Sequence, residues 1–219
     1  MTPARYQQLQ AALDRRQPDL TVLMDDVHKP HNLAAVVRSC DAVGVLQVHA
    51  VSPGGEVARY HLRAGGSNRW VPIVLHASVD AASDALEAGG HQLVAAHFSP
   101  RARDFRELDY TRPTALLLGS ELRGVGEVAA ARAHHHATIP MHGQVASLNV
   151  SVAAAVILFE AERQRAAAGL YDRPRLAGEL RAKLLFEWGY PRLAGWCRDH
   201  GKPYPALDGD GFLASDPRR

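Results

Sequence analysis

LTVLMDDVHKPHNLAAVVRSCDAVGVLQVHAV, residues 20–51, is the stretch that decides the fold. Residues 20–27 form an apolar run of strand length. Residues 32–44 carry apolar side chains at helical spacing and stop on Gly44, a common helix terminator. Residues 45–51 are apolar again and read as a second strand. Strand, helix and strand in this order make a βαβ unit, which pairs its strands in parallel through a right-handed crossover.

The alternation continues downstream. Residues 70–75, 91–98, 114–120 and 136–141 read as strands, and residues 79–90, 125–133 and 148–167 as helices. Continuous apolar strands separated by helices predict an α/β domain whose mainly parallel sheet is covered by helices on both faces. Residues 20–168 form this core. Residues 1–19 read as an amphipathic helical arm. Residues 169–219 form an arginine-rich helical tail that prolines then break.

Bulk composition narrows the class. At 219 residues, 47% hydrophobic and 22% charged, the chain can bury a substantial core. Its longest uncharged apolar stretch, residues 150–159, is too short to span a bilayer, and the polar opening TPARYQQLQ does not read as a signal peptide. Two cysteines give no disulfide framework, so a reducing cytoplasm is expected. A net charge of +2 permits a nucleic-acid partner without demanding one.

In parallel sheets ligands bind beyond the carboxyl ends of strands. Three loops with unusual residues leave such ends: DDVHKPHN after residue 24, GSELRGVGE after residue 118, and MHGQVASLN after residue 140. Each has a structural reading beside the functional one. Asn32 and Ser147 suit helix N-caps, and Glu121 suits a helix entry. Arg38 lies on an otherwise apolar helix, where a charge needs a function or an ion pair to Asp25, Asp26 or Asp41. The glycines after Leu118 match neither G-x-G-x-x-G nor a Walker loop. The histidines at 28, 31 and 134–136 lack metal-site spacing, so no metal is expected. No Ser-His-Asp arrangement or nucleophile elbow is present.

Three segments, HNLAAVVRSCDAVGV, LLLGSELRGV and IPMHGQVASLNVSVAAAVILFE, resemble in order and spacing the three signature motifs of the SPOUT-class RNA 2′-O-methyltransferases. The resemblance spans residues 20–165. It implies a trefoil knot over about residues 114–165, S-adenosylmethionine held by the knot loops, and a homodimer. It further implies catalytic roles for Asn32 and Arg38 from the first motif, Glu121 from the second, and Ser147 and Asn149 from the third. Leu118, Gly119, Ile139, Met141 and Leu148 match the cofactor-holding positions, and Gly143 would let the last loop fold around a ligand.

The tail resembles that of the TrmH-type tRNA guanosine-2′-O-methyltransferases, which implies tRNA as partner and guanosine 18 of the D-loop as target. Arg163, Arg165, Arg173, Arg175 and Arg181 would then track phosphates beside Trp188 and Trp196; a solvated helix face and a packed arm are the plainer readings. Arg101, Arg103 and Arg106 form a second basic loop of the same ambiguous kind. Two rivals stay open. One is a methyltransferase acting on ribosomal RNA or on another tRNA position. The other is a non-catalytic RNA-binding protein, although such a protein would be expected to have lost Arg38, Asn149 or the glycines. For the implied chemistry, Arg38 serves either as a base whose pKa burial lowers or as a phosphate clamp that polarises the hydroxyl. Six residues apart on a helix, Asn32 and Arg38 fall on different faces, so their cooperation rests on the resemblance.

Overall fold

The computed structural model describes residues 1–27, 29–52, 69–120 and 122–218. Helix α1 (Pro3–Asp14) precedes β1 (Leu20–Asp25), α2 (Pro30–Ala42), β2 (Val48–Val51) and β3 (Ile73–His76). Then come α3 (Val79–Ala88), β4 (Gln92–Ala96), the short β5 (Arg103–Asp104), β6 (Thr114–Leu118), α4 (Glu127–Arg132) and β7 (His135–Thr138). Helices α5 (Val150–Ala167), α6 (Gly178–Gly189) and α7 (Pro191–Asp199) complete the order. The chain folds into two compact units, one of residues 17–170 and a second that joins residues 1–16 to 171–219.

Among the described residues of the larger unit, seven strands form one sheet in the order β3-β2-β1-β6-β4-β7-β5. The strands pair in parallel throughout, with Leu20–Met24 in register against Thr114–Leu118 at the centre. The central strands are buried on both faces, which explains their unbroken apolar character. Leu20, Val22, Met24, Leu116 and Leu118 pack with Val36 and Val37 of α2 and Ile157 and Leu158 of α5. Leu23, Leu93, Ala115 and Leu117, out of phase by one residue, pack on the other face with Leu86 of α3 and Ala129 of α4.

Several boundaries differ from the sequence reading for physical reasons. Strand β2 starts three residues late because the Val45 amide still bonds back to the Cys40 carbonyl at the end of α2. Strand β3 starts after Pro72, which has no amide to give the ladder. Helix α2 starts at Pro30, so Asn32 lies within its first turn and is not the cap. Strand β5, two polar residues long, carries no periodic signal.

A buried arginine closes the core. Arg165, near the end of α5, is fully buried and pairs with Asp19 at 2.7 Å. Its remaining bonds go to the carbonyls of Tyr110, Arg112 and Asp19 and to Gln17 Oε1. The phosphate-tracking role expected of Arg165 is therefore corrected. All of its guanidinium nitrogens are spent inside the core.

In the second unit, α1 buries Tyr6, Leu9 and Leu13, and Asp14 accepts a 2.6 Å bond from Arg181 of α6. Trp188 is buried beneath Arg16, and Trp196 stacks on His200. Phe186 stacks on Tyr204 over a cluster with Leu193 and Cys197. No helix among the described residues is long and apolar enough to cross a membrane.

At the β2–β3 side of the sheet, His49 Nδ1 and His76 Nε2 lie 2.8 Å apart. Burial, with His76 and His91 nearby, lowers the pKa of His49 to about 4. A histidine whose folded pKa is depressed stabilises the fold while neutral; that contribution is complete above the unfolded value near 6.5 and is lost as pH falls toward 4. Between pH 7.5 and 4.5 the loss should be about 2–3 kcal/mol. Urea midpoints of the wild type and His49→Gln at both pH values check this, because the variant should be less acid-sensitive by that amount; equal sensitivity would refute it.

Candidate active site

The segments leaving β1, β4, β6 and β7 wall one cleft of about 530 Å³. It lies where parallel sheets present ligand sites, and its volume is in the range of small-molecule pockets. The loop after β1 supplies Lys29, the residue that caps α2 with its backbone alone. Before Lys29 the chain turns through Asp26, which holds a left-handed φ of 57°.

The second wall follows β6. Leu118, Gly119, Ser120, Leu122 and Gly124 line the cleft. The Gly124 amide bonds the Ser120 carbonyl at 2.9 Å, folding this turn tightly back on the strand end. Gly124 has a left-handed φ of 67°. A Cβ on Gly119 would overlap the peptide joining Gly124 to Val125, so only glycine fits there. Glu121 lies outside the described residues, as does His28.

The third wall is Ile139, Met141 and residues 146–150. Asn149 is the N-cap of α5, and its Oδ1 accepts from the Ser151 amide at 2.8 Å and hydroxyl at 2.7 Å. Its Nδ2 donates to Asn32 Oδ1 at 3.1 Å. Asn32 itself is only 2% exposed. One carboxamide thus caps its own helix and ties the start of α5 to the start of α2. Both helix N-termini favour electron-rich groups.

The three loops singled out from sequence do converge. Leu118, Gly119, Ile139, Met141 and Leu148 all line the cleft, together with Ser147 and Asn149. Ser147 is exposed and does not cap α5; Asn149 does. Gly143 is also exposed, and an added Cβ there would meet nothing within 4 Å. No steric demand therefore requires glycine at 143.

Arg38 stands apart. The buried charge expected on an apolar helix is corrected: Arg38 is exposed, on a different face of α2 from Asn32, and is not among the cleft residues. It forms none of the anticipated ion pairs among the described residues. Asp25, one of the offered partners, has its carboxyl pushed up by burial and by Asp26, with the Gly126 amide pulling it back. The outer arginines are distributed differently. Arg163 is exposed and bidentate to Glu160 at 2.8 Å, Arg173 is exposed, and Arg175 is half-buried. Arg103 and Arg106 are exposed beside Glu107 and Asp104.

Sequence reasoning missed a fourth wall. Ala96, His97 and Phe98, at the end of β4, also line the cleft. The same strand-end rule that drew attention to the other loops applies to residue 96, but the segment lacks their clustered glycines and amides. Among the described residues no group of three metal-ligating side chains is placed to hold an ion.

A parallel sheet whose cleft opens at the strand ends, between two helix starts and a glycine-tightened turn, is the architecture of an α/β ligand-binding domain. The chain belongs to the SpoU rRNA Methylase family, whose model matches residues 19–159; the model for the SpoU rRNA methylase C-terminal region matches residues 163–216. It is 55% identical over 187 residues to the tRNA (guanosine(18)-2′-O)-methyltransferase of Thermus thermophilus, covering 85% of this chain and 96% of that one. The crystal structure of the A. aeolicus TrmH/SpoU tRNA modifying enzyme superposes with a TM-score of 0.79 at 40% identity, over 86% of this chain and 96% of that one. The SpoU methyltransferase AviRb from Streptomyces viridochromogenes, in complex with the cofactor AdoMet, matches with a TM-score of 0.60 at 29% identity, over 70% of this chain and 59% of that one.

Proposed function

We propose that this chain is a cytoplasmic tRNA (guanosine-2′-O-)-methyltransferase that transfers a methyl group from S-adenosylmethionine to the ribose 2′-hydroxyl of guanosine 18 in the D-loop. The observation that carries this reading is the Asn149–Asn32 carboxamide pair at the mouth of a nucleoside-sized cleft. The high identity to an enzyme so named selects the substrate.

The residues present fit the cofactor. Leu118, Ile139, Met141 and Leu148 offer apolar contact for a heterocycle, Thr138 and Ser147 offer hydroxyls, and Lys29 offers a cation for a carboxylate. Bound S-adenosylmethionine supplies an electrophilic methyl on a sulfonium. The protein's task is then to align a weak nucleophile with that methyl and dispose of its proton. Asn149 and Asn32 hold the two helix starts together and so fix the angle at which the ribose enters. Glu121 and Ser147 complete the polar set by resemblance.

Arg38, exposed in the isolated chain, carries a planar guanidinium that can only donate. It acts as a clamp that grips the adjacent phosphate with its planar fork and polarises the hydroxyl, the proton leaving to phosphate or water. Because it does not line its own cleft, it serves the cleft of a second subunit. The exposed Val152 (47%) and Phe159 (52%), two turns apart on α5, are an apolar stripe suited to such a homodimer. Arg163, Arg173 and Arg175 track phosphates, and the stretch from β6 through α5 forms the knot that the family resemblance implies.

The experiment is to incubate the protein with methyl-labelled S-adenosylmethionine and an unmodified tRNA transcript, then map 2′-O-methylation by nucleotide. Label at guanosine 18 is expected; label only on ribosomal RNA, or none, would overturn the reading. In the same assay Arg38→Ala and Asn149→Ala should each be inactive alone. Unfolded together and refolded, they should recover about a quarter of the wild-type rate, because half the dimers then carry one intact site. No recovery would place Arg38 in the cleft of its own subunit.

A further inference from the structure

We propose that His97 is a cofactor-binding residue that contacts the nucleoside end of S-adenosylmethionine, its ring set in place by a chain of contacts through His136, Ser99 and Arg101. This inference rests on the methyltransferase reading above.

His97 follows β4, and its backbone amide bonds the Ala137 carbonyl of β7 at 3.1 Å. That bond pins the residue to the sheet at the cleft wall it lines. Its ring meets that of His136 edge to face, with centroids 5.1 Å apart and planes at 86°. His136 is only 5% exposed and is itself fixed on both sides. Its Nδ1 lies 2.7 Å from Ser99 Oγ, and its Nε2 lies 2.6 Å from an Arg101 nitrogen. His136 Nε2 also lies 2.9 Å from the Ala130 carbonyl, so the ring is held by Ser99 on one side and by Arg101 and α4 on the other. The same Arg101 nitrogen bonds the Ala130 carbonyl at 2.7 Å, near the end of α4. The loop of residues 97–101 is thereby anchored to α4 and β7, and the His97 ring inherits that rigidity.

Neither ring nitrogen of His97 has a hydrogen-bond partner among the described residues, although the residue is half-buried against the cleft. A fixed ring with two unused polar atoms in a ligand-sized cleft is a binding group awaiting its ligand. The kind of ligand group follows from charge. Burial, with His136 and Arg101 nearby, holds the His97 pKa below its ordinary value, so the ring is uncharged at neutral pH. An uncharged imidazole gives one donor and one acceptor and offers no attraction to a carboxylate. That role falls to Lys29, the cation among the cleft residues. The ring instead suits the hydroxyls of a ribose or the edge of a heterocycle.

Calorimetric titration of the purified protein with S-adenosylmethionine and, separately, with 5′-methylthioadenosine tests this. The second ligand keeps the nucleoside and lacks the amino-acid end. His97→Ala should weaken both by about 10-fold, the scale of one lost hydrogen bond. The melting temperature and the KM for tRNA should stay unchanged. His97→Gln, which retains a donor and an acceptor, should recover most of the affinity. Affinities within two-fold of the wild type in His97→Ala would overturn the inference. So would a loss confined to S-adenosylmethionine, which would put His97 at the amino-acid end. A wild-type protein that binds neither ligand would instead overturn the methyltransferase reading itself.

Discussion

Arg165→Met should lower the melting temperature by roughly 10 °C and leave the salt dependence of tRNA binding unchanged. Methionine refills much of the volume but replaces none of the five hydrogen bonds that the guanidinium makes to Asp19, Gln17, Tyr110 and Arg112. The Asp19 carboxylate loses its bond to the guanidinium, and the carbonyls of Tyr110 and Arg112 lose the bonds it donates. Removing one member of a buried ion pair costs about 3–5 kcal/mol. The lower end applies here because Asp19 is partly open to solvent, its side chain 19% exposed. Thermal melts read the first effect and tRNA affinity at several salt concentrations reads the second. A melting temperature within 2 °C of the wild type, together with a salt slope reduced by about one, would restore Arg165 as a phosphate contact.

Gly119→Ala should weaken S-adenosylmethionine binding by about 100-fold, equivalent to about 2.7 kcal/mol, while far-ultraviolet circular dichroism shows the sheet and helices retained. The added methyl would occupy the space of the Gly124–Val125 peptide, and backbone cannot yield as a side-chain tip can. The turn must therefore swing away from the end of β6. Ser120, Leu122 and Gly124 line the cleft from that turn, so the swing reshapes the wall that Gly119 shares. Calorimetric titration measures the loss, and an alanine variant that binds within three-fold of the wild type would show that the turn tolerates displacement.

The parallel core was legible because its strands are buried on both faces. A strand such as Thr114–Leu118 has no solvent side to interrupt its apolar run, and the helices between strands repeat at helical spacing. Boundaries were less legible where a backbone bond outweighs side-chain character, as where the Val45 amide is held by Cys40 and delays β2. The cleft was legible in its glycines and amides, and less so in His97. A single histidine at a strand end resembles any core histidine until His136 and Arg101 are seen to hold it. Arginines misled in both directions. Arg38, on an apolar helix, faces solvent, and Arg165, in the charged last turns of α5, is buried, because burial depends on which residues lie opposite. Asp19 is distant from Arg165 in sequence, and no local pattern couples them.

The smaller unit is continuous in space but interrupted in sequence, with α1 packed on α6 and the whole core encoded between them. On the ribosome, α1 therefore emerges long before the surface that covers Tyr6, Leu9 and Leu13 exists. At ordinary synthesis rates the delay is roughly 10–30 s, ample for the parallel core to form first. The terminal helices then close by a contact of very high sequence separation, which makes their docking the last event of folding and the first to be lost when the tail is truncated.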